Sequence, residues 1–162
     1  MSAPTVNAPD LDLPRLAARA VRDGIGKLVV GAVVHDQGKV LILRRSPTDP
    51  FLPGIEELPS GGVDDGESLA DALARELAEE IGWDGPLDLD AGFVATFDYL
   101  TGSGRRARQF TFGLPSNASA VVLSDEHVGF RWLEPVELDG SDVTPETAGT
   151  VRAWAASRHP LP

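Results

Sequence analysis

An α/β fold is predicted by three features of the chain. Residues 27–35 (KLVVGAVVH) form a nearly continuous β-branched run, and Leu69, Leu73, Leu77 and Ile81 recur at helical spacing as one apolar stripe. Two more extended stretches, 92–100 and 107–113, flank a Thr101-Gly102-Ser103-Gly104 turn. At 162 residues and without an internal repeat, these elements form one domain large enough to bury a true core.

Residues 1–13 carry several Pro and Asp residues and are expected to be a loose leader. A short helix follows over 16–21, with Pro14 suited to its first turn, so residues 1–26 precede the main domain. The strand over 27–35 turns at Asp36-Gln37-Gly38 into a second strand over 40–43, a hairpin signal. Residues 46–66 read as loop, with Pro47, Pro50, Pro53 and Pro59 among glycines and a short extended piece near 56–58. A loop of that length inside a compact domain is usually functional. The next helix opens at Ser68, with Asp71 three residues on as a capping pair, and Gly82 and Gly85 suit its stop. A short strand at 129–133 (GFRWL) and a last helix over 144–157 complete the domain at residue 158. Pro145 sits in that helix's first turn, Val151 and Trp154 face inward, and 159–162 form a tail.

An apolar content of 42% is ordinary for a globular protein, and zero Cys excludes disulfides, thiolate metal sites and cysteine nucleophiles. The net charge of −11 argues against nucleic acid as a partner, since that affinity depends on neutralising phosphates. A small phosphorylated substrate remains compatible if a metal and local arginines carry the contact. The longest apolar run, 28–34, is far too short to span a bilayer. The opening residues lack the basic and apolar regions of a signal peptide. The expectation is a soluble cytoplasmic protein with no membrane partner.

The helix over 69–81 is unusually acidic on one side. Glu76, Glu79 and Glu80 stand at i, i+3 and i+4, a spacing that costs an isolated helix about 0.2–0.5 kcal/mol per pair. At ~100° per residue, Glu80 falls on the core side between Leu69 and Leu73, Glu76 borders the stripe and Glu79 lies further round. No lysine occurs in 61–83, and Arg75 precedes Glu79 by four, the less favourable order. A core-side carboxylate is expensive unless paired or metal-bound. Mg²⁺ takes oxygen ligands, one or two of them carboxylates, with waters and substrate phosphates completing its shell. Periodicity and charge alone leave a metal site and a solvated acidic face equally open.

The spacing adds more. Gly61, Glu67, Arg75-Glu76-Leu77, Glu79-Glu80 and Gly82 match G-x5-E-x7-R-E-U-x-E-E-x-G-U, U being aliphatic, so residues 61–83 resemble the Nudix box. Trp83 stands at the final aliphatic position. Glu57-Leu58-Pro59 is similar to the family's approach to the box, with Ser60 where many members have Gly. Glu126 and Trp132 resemble a distal acid and tryptophan of some nucleotide-hydrolysing members. The resemblance implies a Nudix-type α/β/α sandwich with a mixed β-sheet, spanning roughly 27–158. It also implies Mg²⁺- or Mn²⁺-dependent hydrolysis of a nucleoside diphosphate linked to another group.

By position in that resemblance, Glu76, Glu79 and Glu80 are metal ligands, one of which also accepts the proton of water. The Gly61 carbonyl completes the shell, and Glu67 and Arg75 are a supporting pair. Without metal, carboxylates so closely spaced are expected to include at least one with a raised pKa. Glu126 is either a distal ligand or general base, or a solvated turn acid; His127 is expected to be an exposed polar residue. Arg44, Arg45, Arg105, Arg106 and Arg108 are candidates for phosphate or base contacts against a background of surface charge. Phe97, Tyr99 and Phe110 suit either base stacking or core packing.

The resemblance leaves the substrate open. A nucleoside triphosphate or similar small nucleotide is expected, with ADP-ribose, a dinucleoside polyphosphate or non-catalytic nucleotide binding as alternatives. The Ser-Gln-Pro-Trp stretch of NADH-type members is absent, and no proline lies at the ADP-ribose spacing. Tyr99 lies near the spacing of dinucleoside polyphosphate hydrolases. Homodimers are common in the family.

Overall fold

The computed structural model describes residues 5–158, so the expected tail at 159–162 lies outside the described residues. The elements run β1 (Val6–Asn7), α1 (Leu13–Arg22), β2 (Lys27–Asp36), β3 (Lys39–Arg45), β4 (Glu56–Glu57), β5 (Ser60–Gly62) and α2 (Leu69–Ile81). They continue as β6 (Leu87–Asp88), β7 (Val94–Leu100), β8 (Arg106–Pro115), β9 (His127–Leu133), a 3-10 turn (Pro135–Gly140) and α3 (Pro145–Arg158).

The main sheet follows the order β4-β3-β2-β8-β7, with β5 beside β2 and β9 beside β3. Strands β2 and β8 run parallel from Lys27↔Ala107 to His35↔Pro115, and every other pairing in this sheet is antiparallel. Both faces are covered, which explains the unbroken apolar run of β2. Alternate residues feed opposite layers. Val30, Ala32, Val34, Phe110 and Phe112 pack with α1 and with Leu69, Leu73, Leu77 and Ile81 of α2. Val33, Val40, Ile42 and Leu133 pack with Val151 and Trp154 of α3. The result is an α/β/α sandwich around a mixed sheet, as expected.

Helix α2 has the anticipated ends. The Ser68 hydroxyl accepts from the Asp71 amide at 3.0 Å, and Gly82 closes the helix at φ 70°. Its amide donates to Ala78, and that of Trp83 to Leu77.

Several boundaries differ from the sequence reading. Within the stretch expected to be loose, Val6 and Asn7 pair in parallel with Leu87 and Asp88, and Leu13 is buried. A two-residue bridge is too short to leave a periodic signature. Helix α1 starts earlier than expected because the Asp12 carboxylate caps the Arg15 amide at 3.1 Å. The expected loop contains β5, two of whose three residues are glycines with no side chain to alternate.

Candidate active site

Residues 56–62 run between the diverging ends of β2 and β3, pairing first with β3 and then with β2, on the way to α2. Strand β5 crosses close over β2, where Gly31 lies against the Pro59 carbonyl and the Ser60 side chain. The Ala32 amide donates to Pro59 and the Val63 amide to Leu28, each at about the normal length. That alternation makes Val30 and Gly61 a mutually bonded pair, so the Gly61 carbonyl points into the ladder and that of Ser60 points away from β2. The Gly61 carbonyl, expected as a metal ligand, is thus directed to β2, and Gly61 also supplies space. The Glu76 carboxylate lies against its Cα, and a Cβ there would occupy the same volume.

Arg75 ties this loop to the helix. Its guanidinium grips Glu67 with Nε at 2.9 Å and Nη2 at 2.8 Å, and Nη2 also reaches the Gly62 carbonyl at 2.9 Å. Nη1 holds Glu76 at 2.7 Å and lies 3.7 Å from Glu79. The fork on Glu67 depresses that carboxyl to about 2. The pair expected between Glu67 and Arg75 is therefore present as a bidentate contact.

The three glutamates of α2 occupy three environments, in the order their helical angles dictate. Glu80 is buried, Glu76 is partly buried, and the Glu79 side chain is 59% exposed. Burial, followed by the charges of Glu57, Glu76 and Glu126, raises the Glu80 carboxyl to about 8, against a backbone hydrogen bond at Ser60. Glu76 is also raised, first by burial and then by Glu79 and Glu126, with Arg75 opposing. The exposed Glu126 thus shares the field of both glutamates.

The tightest cluster of metal-competent groups among the described residues is Glu57, Glu80 and His127, with one ligand atom from each within 4.8 Å of the others. Glu76 and Glu79 flank it on the helix. The expectation for His127 is corrected here: its side chain is wholly buried at the start of β9, and Nε2 meets Glu57 Oε2 at 2.7 Å. Two buried atoms, Glu80 Oε2 and His127 Nδ1, have no hydrogen-bond partner and face each other at 3.8 Å. Oxygen donors with an unpartnered buried acceptor fit a hard divalent cation. Neither Glu57 nor His127 carried a helical or alternating signal, and the register β9 takes beyond the irregularity at Arg44/Arg45 buries His127.

Glu57 and Ser60 form the border between this cluster and a cleft of about 510 Å³ on the α3 side of the sheet. Phe97 and Tyr99 of β7, Gln109 and Thr111 of β8, and Thr147 of α3 also line it. Phe110, the alternate residue on β8, belongs to the opposite core. Arg108 likewise projects to the α1 side, where it bridges Asp23 and Asp98 at 2.9 and 2.7 Å. The structure engages this candidate in an ion pair on the face of the sheet opposite the cleft. Arg44 is occupied by Gly54, Asp142 and Glu56, while Arg105 and Arg106 bond the backbone of Gly26 and Asp23. Arg45 borders the cleft between Asp49 and Glu57; its Nε lies 3.0 Å from Glu57 Oε2 but off the line of a hydrogen bond. No helix among the described residues is long and apolar enough to cross a membrane.

Comparison with known proteins agrees with this architecture. The NUDIX domain family model matches residues 27–154. The Nudix hydrolase YfcD of Shigella flexneri is 32% identical over 126 residues, covering 75% of this chain and 68% of that protein. The CTP pyrophosphohydrolase of Escherichia coli (strain K12) is 28% identical over 134 residues, covering 83% and 95%. The crystal structure of the MutT protein from Methanosarcina mazei Go1 superposes with a TM-score of 0.70 at 23% identity, covering 83% of this chain and 96% of that one. The chain belongs to the Nudix family and is a hydrolase acting on acid anhydrides.

Proposed function

We propose that the chain hydrolyses a P–O–P bridge in a nucleoside diphosphate linked to a further group, with Mg²⁺ or Mn²⁺ as cofactor. A nucleoside triphosphate or similarly small nucleotide is the substrate class. The observation that carries this reading is the buried, unpartnered Glu80 Oε2 clustered with Glu57 at the border of the cleft. Glu76 and Glu79, on the same helix, extend the donor set toward solvent. When bound, the ion supplies positive charge opposite the phosphoryl oxygens and makes water a stronger nucleophile.

The chain's own residues do the rest. Arg75 and Glu67 hold the loop against α2, and Gly61 leaves room for the Glu76 carboxylate. Water forms the new P–O bond as the bridging P–O bond breaks, and a carboxylate accepts the water's proton. Glu126, exposed and within the field of Glu76 and Glu80, serves as that acceptor in this reading. Phe97 and Tyr99 offer ring faces to a base, and the Gln109 amide and Thr111 hydroxyl offer polar contacts. The cleft volume matches a single small ligand, and the similarity to a CTP pyrophosphohydrolase supports a triphosphate. Tyr99, 39% exposed at the cleft, favours a second reading in which a dinucleoside polyphosphate stacks there.

The test is product analysis on a panel of the common nucleoside triphosphates, ADP-ribose and a diadenosine polyphosphate, with Mg²⁺ and with Mn²⁺. The expected result is a nucleoside monophosphate and pyrophosphate from at least one triphosphate. Turnover confined to ADP-ribose or the dinucleotide overturns the substrate class, and no turnover of any member overturns the activity.

A further inference from the structure

We propose that His127 Nδ1 is a direct ligand of the divalent ion held by Glu80, and that Glu57 orients the imidazole for that task. The proposal rests on the metal-dependent reading given above and adds a nitrogen donor to it.

The argument begins with the proton on the ring. An ionised carboxylate only accepts, so the 2.7 Å contact to Glu57 Oε2 places the imidazole proton on Nε2. The Arg45 guanidinium lies 3.0 Å from the same oxygen. With Nε2 engaged by Glu57, Nδ1 is the ring atom left to face Glu80. That atom is buried, has no partner, and faces another buried acceptor without a partner, Glu80 Oε2.

Two buried polar atoms left without partners are costly, and a cation between them would satisfy both. Their 3.8 Å separation is too long for a shared proton, and it is shorter than two metal–ligand bonds of ~2.1 Å each, so one ion can touch both. A histidine that ligates a metal through one nitrogen while donating the other N–H to a carboxylate is a recurrent arrangement, in which the carboxylate fixes tautomer and orientation. Glu57 stands where such a carboxylate is needed. Backbone geometry fixes the parts: β4 delivers Glu57, α2 delivers Glu80 and the first residue of β9 delivers His127. A nitrogen donor shifts preference from Mg²⁺ toward first-row transition ions.

The experiment is pulsed electron paramagnetic resonance on the full chain loaded with Mn²⁺. The expected spectrum carries nitrogen-14 modulation of imidazole type, replaced by the nitrogen-15 pattern when the protein is grown with [¹⁵N]histidine. The isotope comparison needs no mutation, so it stands even if a variant at this buried position misfolds. In His127→Gln the modulation disappears and the ratio of Mn²⁺ to Mg²⁺ affinity falls. In Glu57→Gln, Mn²⁺ affinity falls about tenfold or more. Mn²⁺ that binds with no histidine-derived coupling overturns this proposal and leaves the metal-dependent hydrolase intact. Failure of Mn²⁺ to bind at all overturns both.

Discussion

Glu80 joins the most conflicting demands in one side chain: a core-side position, neighbouring negative charges and an oxygen without a partner. In metal-free protein its carboxyl sits at about 8 against an ordinary 4.5, first because of burial. Between those values the folded state keeps a proton that the unfolded chain has released. Its contribution to stability is therefore complete below about 4.5 and declines as pH rises toward about 8. Melting curves in EDTA test this: the wild type loses more stability than Glu80→Gln across that window, and parallel curves contradict it. Divalent binding follows the opposite trend, strengthening with pH as the carboxylate ionises. Glu67 behaves in the reverse sense, since Arg75 holds it at about 2 and its contribution is lost only as pH falls from the ordinary range through that value. Replacing Arg75 with Lys keeps the charge but forfeits the fork, and turnover is expected to fall by tenfold or more while the fold survives, as measured by kcat beside circular dichroism.

The loop and helix act as a unit, and glycine and serine set its geometry. Gly61→Ala forces the Glu76 carboxylate off its seat, so the variant is expected to lose metal affinity with its helix content unchanged. Ser68→Ala removes the cap on the Asp71 amide and costs ~1 kcal/mol in a denaturant melt, without touching catalysis directly. Helix α2 was legible because its stripe, cap, stop and acidic side all have a 3.6-residue signature, and the ranking of Glu80, Glu76 and Glu79 by burial follows from angle alone. The flanking strand partners were not legible for an equally physical reason. Glu57 sits in a two-residue strand and His127 opens β9, so their directions are set by register against β3 rather than by local pattern. Arg108 points away from this cleft by a single step of strand alternation, since Gln109 beside it faces the cleft.

At the scale of the molecule, the sandwich holds a group of carboxylates beside the cleft proposed to take the substrate. The two apolar layers fix the sheet, and the site is built where β4 and β5 enter between the diverging strands β2 and β3. The β-branched run over 27–35, the hairpin and both main helices foretold those layers; the pairing of Val6–Asn7 with Leu87–Asp88 did not show, because it joins residues distant in sequence. Binding linkage predicts that Mg²⁺ raises the melting temperature of the wild type and not of the Glu79→Gln/Glu80→Gln double variant. Equal shifts would locate the ion elsewhere. The most direct test of the central claim is the initial rate of pyrophosphate release from a nucleoside triphosphate, measured as free Mg²⁺ is buffered from zero upward with EDTA. The account predicts no release at zero metal, a saturable rise in the wild type and a flat response in Glu80→Gln of unchanged fold. Release that persists in excess EDTA would contradict it.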